Sequence, residues 1–189
     1  MIKEKANIAV FISGRGTNLK ALILRSNKKT CNYKIAYVIS NKRNAVGLKI
    51  AKKNQIITKV ISQRFLKAEQ KKLAKILINK NIKFICLAGF MKILSPYFIN
   101  FFKNKIINIH PSLLPKYKGL NTHHRALIAK EKFSGCTIHY VSKKLDSGKI
   151  IAKKKVKIFK KDTLKKLEKR VLKEENKLYP LVLEKLVRS

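Results

Sequence analysis

An amide and an imidazole two residues apart, Asn108 and His110, close a β-branched run in IINIHPSLLPKYKGL, residues 106–120. If the chain is still extended there, the i, i+2 spacing puts both side chains on one face of the strand end. A neutral amide donor beside a group that titrates near neutrality suits acyl transfer: one stabilises a developing oxyanion, the other moves a proton. Pro111 and Pro115 then force a rigid, non-helical path over the sheet edge. Taken singly, each residue has a plainer reading, Asn108 as a turn cap and His110 as a satisfied buried histidine. The missing carboxylate stands in Lys144-Leu145-Asp146-Ser147-Gly148. The chain has only two aspartates. Asp162 sits where it can cap a helix, which leaves Asp146 in a loop, where Asp-Ser-Gly is also good turn composition. Placed against His110, Asp146 would favour the imidazolium and help carry away an amine proton.

A second candidate is Ser13-Gly14-Arg15-Gly16-Thr17-Asn18, between the first apolar run and an amphipathic segment. Two glycines allow a sharp turn and close approach to a ligand. Free N–H groups at a helix start, with the helix dipole behind them, favour a phosphate. No Gly-Lys-Ser/Thr follows, and the third glycine of a dinucleotide fingerprint is replaced by Leu19. A single phosphate monoester therefore fits this loop better than a nucleotide coenzyme. The alternative is a simple tight turn capped by Thr17 or Asn18. His123 and His124 are adjacent rather than i, i+4 and have no carboxylate–histidine cluster beside them, so no metal site is expected. The segment from Phe90 to Leu94 could line a flat-ring pocket or simply be core.

Positioning such groups needs a scaffold, and the hydrophobic pattern supplies one. Strand candidates lie at residues 7–12, 34–39, 57–61, 84–87 and 106–109, and helix candidates at 18–25, 46–54, 68–79 and 96–102. In the third helix Leu73, Ile76 and Leu77 fall at helical spacing with lysines opposite. Alternating strands and helices imply an α/β fold, a mostly parallel sheet with helices on both faces and ligands beyond the carboxyl ends of the strands. The pattern then changes. Residues 136–141 and 150–158, around a turn at 144–149, read as an antiparallel hairpin. Asp162-Thr163 then offers an N-cap for a long helix over 164–187, bent near Pro180. No linker or internal repeat divides residues 1–189, which read as a single domain.

The net charge of +37 raises the question of nucleic acid. Lysines are spread over predicted helices (Lys71, Lys72, Lys75) and strands (Lys153, Lys155, Lys157) alike, with no localised stripe and no RNA-binding signature. A chain rich in Lys, Ile and Asn matches A/T-biased coding, so small-molecule substrates and no nucleic-acid partner are expected. The apolar runs 8–12 and 84–90 are too short for a bilayer, residues 1–5 lack a signal-peptide core, and three scattered cysteines form no disulfide framework. A soluble cytoplasmic protein, monomeric or homodimeric, with no membrane contact, is the expectation.

Over nearly its whole length the chain resembles the phosphoribosylglycinamide formyltransferases, the folate-dependent transformylases of purine synthesis. The resemblance is carried by SGRGTNLKAL, SNK at 40–42, LAGFMKILSP at 87–96, INIHPSLLPKYKG, the run Thr137-Ile138-His139-Tyr140-Val141, and LDSG, in that order. The IHPSLLP run is shared among folate formyl enzymes, and its combination with GRGTN is more specific to the glycinamide enzymes. The resemblance implies a Rossmann-like formyltransferase fold, with 10-formyltetrahydrofolate as the formyl donor and no metal. It implies Asn108, His110 and Asp146 as the catalytic trio and Gly16, Thr17 and Asn18 as the substrate-phosphate loop. Met91, Lys92, Ile93, Leu94 and Val141 become the wall receiving the pterin, and Glu175 a contact to the glycinamide substrate. Thr137 and His139 match positions close to the active site. Asn121 and Ser134 depart from the histidines many members carry. Of the alternatives, a methionyl-tRNA formyltransferase would need a further C-terminal RNA-binding domain and a formyltetrahydrofolate hydrolase an N-terminal regulatory one. A basic nucleic-acid-binding protein would leave the trio without a shared purpose.

Overall fold

Apolar runs bounded by turn residues form the strands, and lysine-backed periodic segments form the helices, in a computed structural model that describes residues 4–62 and 64–188. Residues 1–3, on which part of the reading of the N-terminus rests, lie outside them. Strands β1 (Ala6–Ile12), β2 (Tyr33–Ser40), β3 (Ile57–Val60), β4 (Ile82–Leu87) and β5 (Ile106–His110) are joined through helices α1 (Thr17–Ser26), α2 (Val46–Lys53), α3 (Lys67–Asn79) and α4 (Pro96–Phe101). There follow α5 (Thr122–Ile128), β6 (Phe133–Tyr140), β7 (Ile150–Lys157) and α6 (Leu164–Arg188). The strands form one sheet in the order β3-β2-β1-β4-β5-β6-β7. Neighbours from β3 to β5 pair parallel, while β6 pairs antiparallel with both β5 and β7.

β1 shows why the first apolar run lacks polar alternation. Residues Ile8 to Ile12 are fully buried, because a parallel strand with helices on both faces has no wet side. Ile8, Val10 and Ile12 pack with residues of α1, α2 and α6, while Ala9 and Phe11 pack with α3 and α4. The strand order reverses between β1 and β4, whose C-terminal ends therefore flank the crevice where doubly wound folds bind ligands. Lys71, Lys72 and Lys75 of α3, and Lys153, Lys155 and Lys157 of β7, are exposed.

Three elements differ from the sequence-based expectation. α5 was not anticipated: it is a short helix whose N-cap, Asn121, adopts a left-handed conformation (φ +56°), which asparagine tolerates better than most residues. β6 begins at Phe133, earlier than residue 136. The cap of α6 is Thr163, whose Oγ1 accepts from Lys166 N at 3.3 Å, while Asp162 is taken up by Arg170 and by Phe159 N. Pro180 lies inside α6, which runs continuously from Leu164 to Arg188. Cys31, Cys86 and Cys136 are buried free thiols. Among the described residues no helix is long and apolar enough to cross a membrane.

Candidate functional site

Two chemistry-bearing strands meet edge to edge. β5 presents Asn108 and His110, and the antiparallel register sets His139 opposite Asn108 and Thr137 opposite His110. The i, i+2 spacing read from the sequence thus puts the amide and imidazole on one face, and β6 adds a second pair that spacing could not reveal. Asn108 Nδ2 lies 3.2 Å from His139 Nε2, and His139 Nδ1 lies 2.9 Å from the Tyr140 carbonyl. His110 Nε2 meets the Tyr117 carbonyl at 2.9 Å. Thr137 serves the loop rather than the trio: its hydroxyl donates to Ser112 O and accepts from Leu114 N, tying the Pro111–Pro115 path to β6.

The loop between β6 and β7 brings the carboxylate in. Asp146 Oδ2 stands 3.3 Å from His110 Nδ1, with its side chain only 8% exposed. Gly119 N donates to the same oxygen at 2.9 Å. Asp146 has φ +45°, a left-handed conformation that aspartate accepts at modest cost. Gly148 approaches so closely that a Cβ there would sit 1.6 Å from the Tyr140 carbonyl oxygen, so only glycine lets the loop fold back over β6. The other carboxylate oxygen lies 3.7 Å from His139 Nε2. Burial pushes the His139 pKa down, against the opposing pull of the Tyr140 carbonyl and Asp146, which disfavours an ion pair across that approach.

β1 delivers the second half of the site, one strand away across β4. Gly16 is the N-cap of α1, in the left-handed region (φ +73°), and no side chain caps the helix. Neither Thr17 nor Asn18 caps the turn: the cap position belongs to Gly16, and no side chain bonds to the first-turn N–H groups as a cap, an arrangement compatible with an anion site. A Cβ on Gly16 would lie 2.6 Å from Gly47 Cα, so the loop rests directly on the start of α2. Asn18 turns inward instead, its Nδ2 donating to Glu175 Oε2 of α6 at 2.8 Å. Its Oδ1 is buried without a partner. Burial raises the Glu175 carboxyl to about 7, with Asn18 pulling the other way.

Between these halves lies an apolar wall. β4 pairs Leu87 with Asn108, so the segment after β4 leaves from beside the amide. Met91 and Ile93 are exposed, Lys92 is half-buried, and Leu94 is buried among α3 and α4 residues. Val141 follows β6, anchored by its N–H to Ile106 O at 2.9 Å and packed on the same cluster. Ser13 joins wall to loop, donating to Asn41 Oδ1 at 2.6 Å and accepting from Met91 N at 2.8 Å. Sequence reasoning gave no role to Ser13, Tyr117, Gly119 or Gly47. Only Ser13, the first residue past a strand, carried a positional hint. His123 and His124 lie on α5, and among the described residues no His/Cys/Asp/Glu group is arranged to hold a metal.

Known proteins share this architecture. A family model described as formyl transferase matches residues 6–183. The phosphoribosylglycinamide formyltransferase of Haemophilus influenzae is 43% identical over 180 residues, covering 94% of this chain and 85% of that protein. The trifunctional purine biosynthetic protein adenosine-3 of Chironomus tentans is 42% identical over 185 residues, but the chain spans only 13% of its length and 95% of its own. The crystal structure of phosphoribosylglycinamide formyltransferase from Anaplasma phagocytophilum superposes with a TM-score of 0.93 at 39% identity, over 98% of this chain and 88% of that one.

Proposed function

The chain belongs to the formyl transferase family, and from that premise we propose that it moves the formyl group of 10-formyltetrahydrofolate to the glycinamide amine of 5′-phosphoribosylglycinamide in purine biosynthesis. The observation that carries this reading is the convergence of Asn108, His110 and Asp146 one strand away from an uncapped helix N-terminus. The phosphate takes the first-turn N–H groups of Gly16, Thr17 and Asn18. Glu175, beside Asn18, faces the sugar and glycinamide portion. The flat pterin lies along Met91, Lys92, Ile93, Leu94 and Val141, where Met91 and Ile93 expose apolar side chains.

In the reaction the amine lone pair attacks the formyl carbon, and the carbonyl oxygen becomes an oxyanion. Asn108 Nδ2–H and His110 Nε2–H donate to it, the latter exchanging its present acceptor, the Tyr117 carbonyl. Both His110 nitrogens face acceptors, Tyr117 O and Asp146 Oδ2, an environment that an imidazolium satisfies. Collapse of the intermediate breaks the bond to N10 of the folate. The attacking amine loses a proton and N10 gains one, relayed by water and the His110–Asp146 pair. The test is a formyl-transfer assay with glycinamide ribonucleotide and 10-formyltetrahydrofolate, with methionyl-tRNA as competing acceptor. Formylation of the ribonucleotide alone is the expected result. Formylation of the tRNA in its place would move the chain to a different member activity of the family.

A further inference from the structure

We propose that His139 is a positioning residue that decides which end of the Asn108 amide faces the reacting carbonyl, acting as a neutral acceptor across the β5–β6 pair. The inference rests on the formyl-transfer reading of Asn108, but its structural half stands without it. A side-chain amide is nearly symmetric in shape, so packing alone does not settle whether Nδ2 or Oδ1 points at a neighbour. The neighbour's chemistry does. His139 Nδ1 faces the Tyr140 carbonyl at 2.9 Å, and a carbonyl only accepts, so the hydrogen is on Nδ1. A neutral ring then has its lone pair at Nε2, and only the N–H end of Asn108 can meet it, at the observed 3.2 Å. One Nδ2 hydrogen is held there. The other is left for the site, with Oδ1 turned away from the oxyanion position.

The surroundings keep this arrangement. His139 is 2% exposed, and removal from water disfavours the charged ring. The ionisable groups facing it are Asp146, whose Oδ1 lies 3.7 Å from Nε2, and His110. A proton on Nε2 would reverse the contact: the ring would donate, Asn108 would rotate to present Oδ1, and an oxygen lone pair would turn against the developing oxyanion. The acceptor that fixes the tautomer is itself fixed, since the Tyr140 carbonyl is the atom against which Gly148 packs. The LDSG loop therefore has a second task besides carrying Asp146: it holds the carbonyl that sets the His139 tautomer.

The experiment is a double-mutant cycle with an independent spectroscopic arm. His139→Leu is expected to lower kcat on the order of tenfold to a hundredfold through misplacement of one donor, with KM for both substrates little changed. His139→Gln, which keeps an acceptor at that point, is expected to recover most of the loss. In an Asn108→Ala background His139→Leu is expected to add no more than about a twofold effect. Equal losses from His139→Leu with and without Asn108, or an unchanged kcat in the single variant, would overturn the proposal. Imidazole 15N shifts of the wild-type chain at neutral pH provide the arm that no folding defect can obscure. The Nδ1–H tautomer supports the assignment, and an Nε2–H or doubly protonated ring ends it. Absence of formyl transfer by the wild-type chain would count against the function proposed above while leaving this spectroscopic test intact.

Discussion

The ends of β1 and β5 lie at one edge of the same sheet, separated only by β4, yet they are built in opposite ways. The loop after β1 is mainly local: Gly16 in the left-handed region opens the first turn of α1 with no side-chain cap, and the closest distant support of that glycine is Gly47 at the start of α2. The end of β5 is assembled from afar. His139 arrives by antiparallel pairing, and Asp146 by a loop that depends on Gly148. On the function proposed above, the local half acts on binding through its backbone shape, and the assembled half acts on the chemistry through side-chain orientation. The difference predicts separable kinetic faults.

The largest effects belong to the assembled half. Asn108→Ala and His110→Ala are each expected to lower kcat by roughly 10²–10³, the usual cost of one oxyanion donor, while KM for the ribonucleotide stays near that of the wild type. Steady-state kinetics decides it. A rise in KM at constant kcat would place these residues among the binding groups and erase the distinction.

Glu175 joins the local half to α6 and should register as a pH effect on stability. Its carboxyl is raised from 4.5 to about 7 by burial. Below pH 4.5 folded and unfolded chains both hold the proton. Between there and about 7 only the folded chain does, so stability falls as pH rises and levels off above 7. The span is about 3 kcal/mol, as an order of magnitude. Glu175→Gln keeps an acceptor for Asn18 and is expected to flatten urea-denaturation stability across that window. A variant as steeply pH-dependent as the wild type would assign the slope to another group.

The same contrast marks what the sequence revealed. Residues 8–12 announced a buried parallel strand because a two-sided core leaves no room for polar alternation, and Asn108 with His110 could be placed on one face because i, i+2 is a property of the strand alone. Asp146 was found by elimination, and its contact with His110 could not be, since pairing register and a left-handed loop residue are settled by distant atoms. His139 was known only through family resemblance, and its opposition to Asn108 is pure register. α5 was missed because its start depends on Asn121 at positive φ, which no periodicity reports. Tyr117 and Gly119 contribute backbone atoms, which carry no sequence signature at all.

The local half is open to a sharper test at Gly16. A Cβ there meets Gly47 Cα at 2.6 Å, on a backbone at φ +73°, so Gly16→Ala strains both the turn and its seat on α2. A cost of about 1–3 kcal/mol in stability is expected, in the range of overpacking. A rise in KM for the ribose-phosphate substrate should accompany it and outweigh the change in kcat. Should kcat fall as far as in Asn108→Ala with KM intact, the loop would be part of the chemistry and the two-part description would fail.

The smallest expected effect comes from α6, whose first turn contrasts with that of α1. α1 starts on a glycine with no side-chain cap, whereas Thr163 caps α6 through its hydroxyl to Lys166 N. Every helix begins with first-turn donors that need partners: α6 supplies one from its own side chain, whereas α1 has no side-chain cap, and on the reading proposed above its donors are kept for the substrate phosphate. Thr163→Ala is expected to cost about 1 kcal/mol, the usual worth of such a cap, with kcat and both KM values unchanged. Inorganic phosphate should raise the thermal midpoint of wild type and Thr163→Ala by equal increments and that of Gly16→Ala by less, because the bound anion completes α1 and leaves α6 alone. Equal increments in all three would mean that the anion binds elsewhere on this basic surface and that the open start of α1 is only a turn.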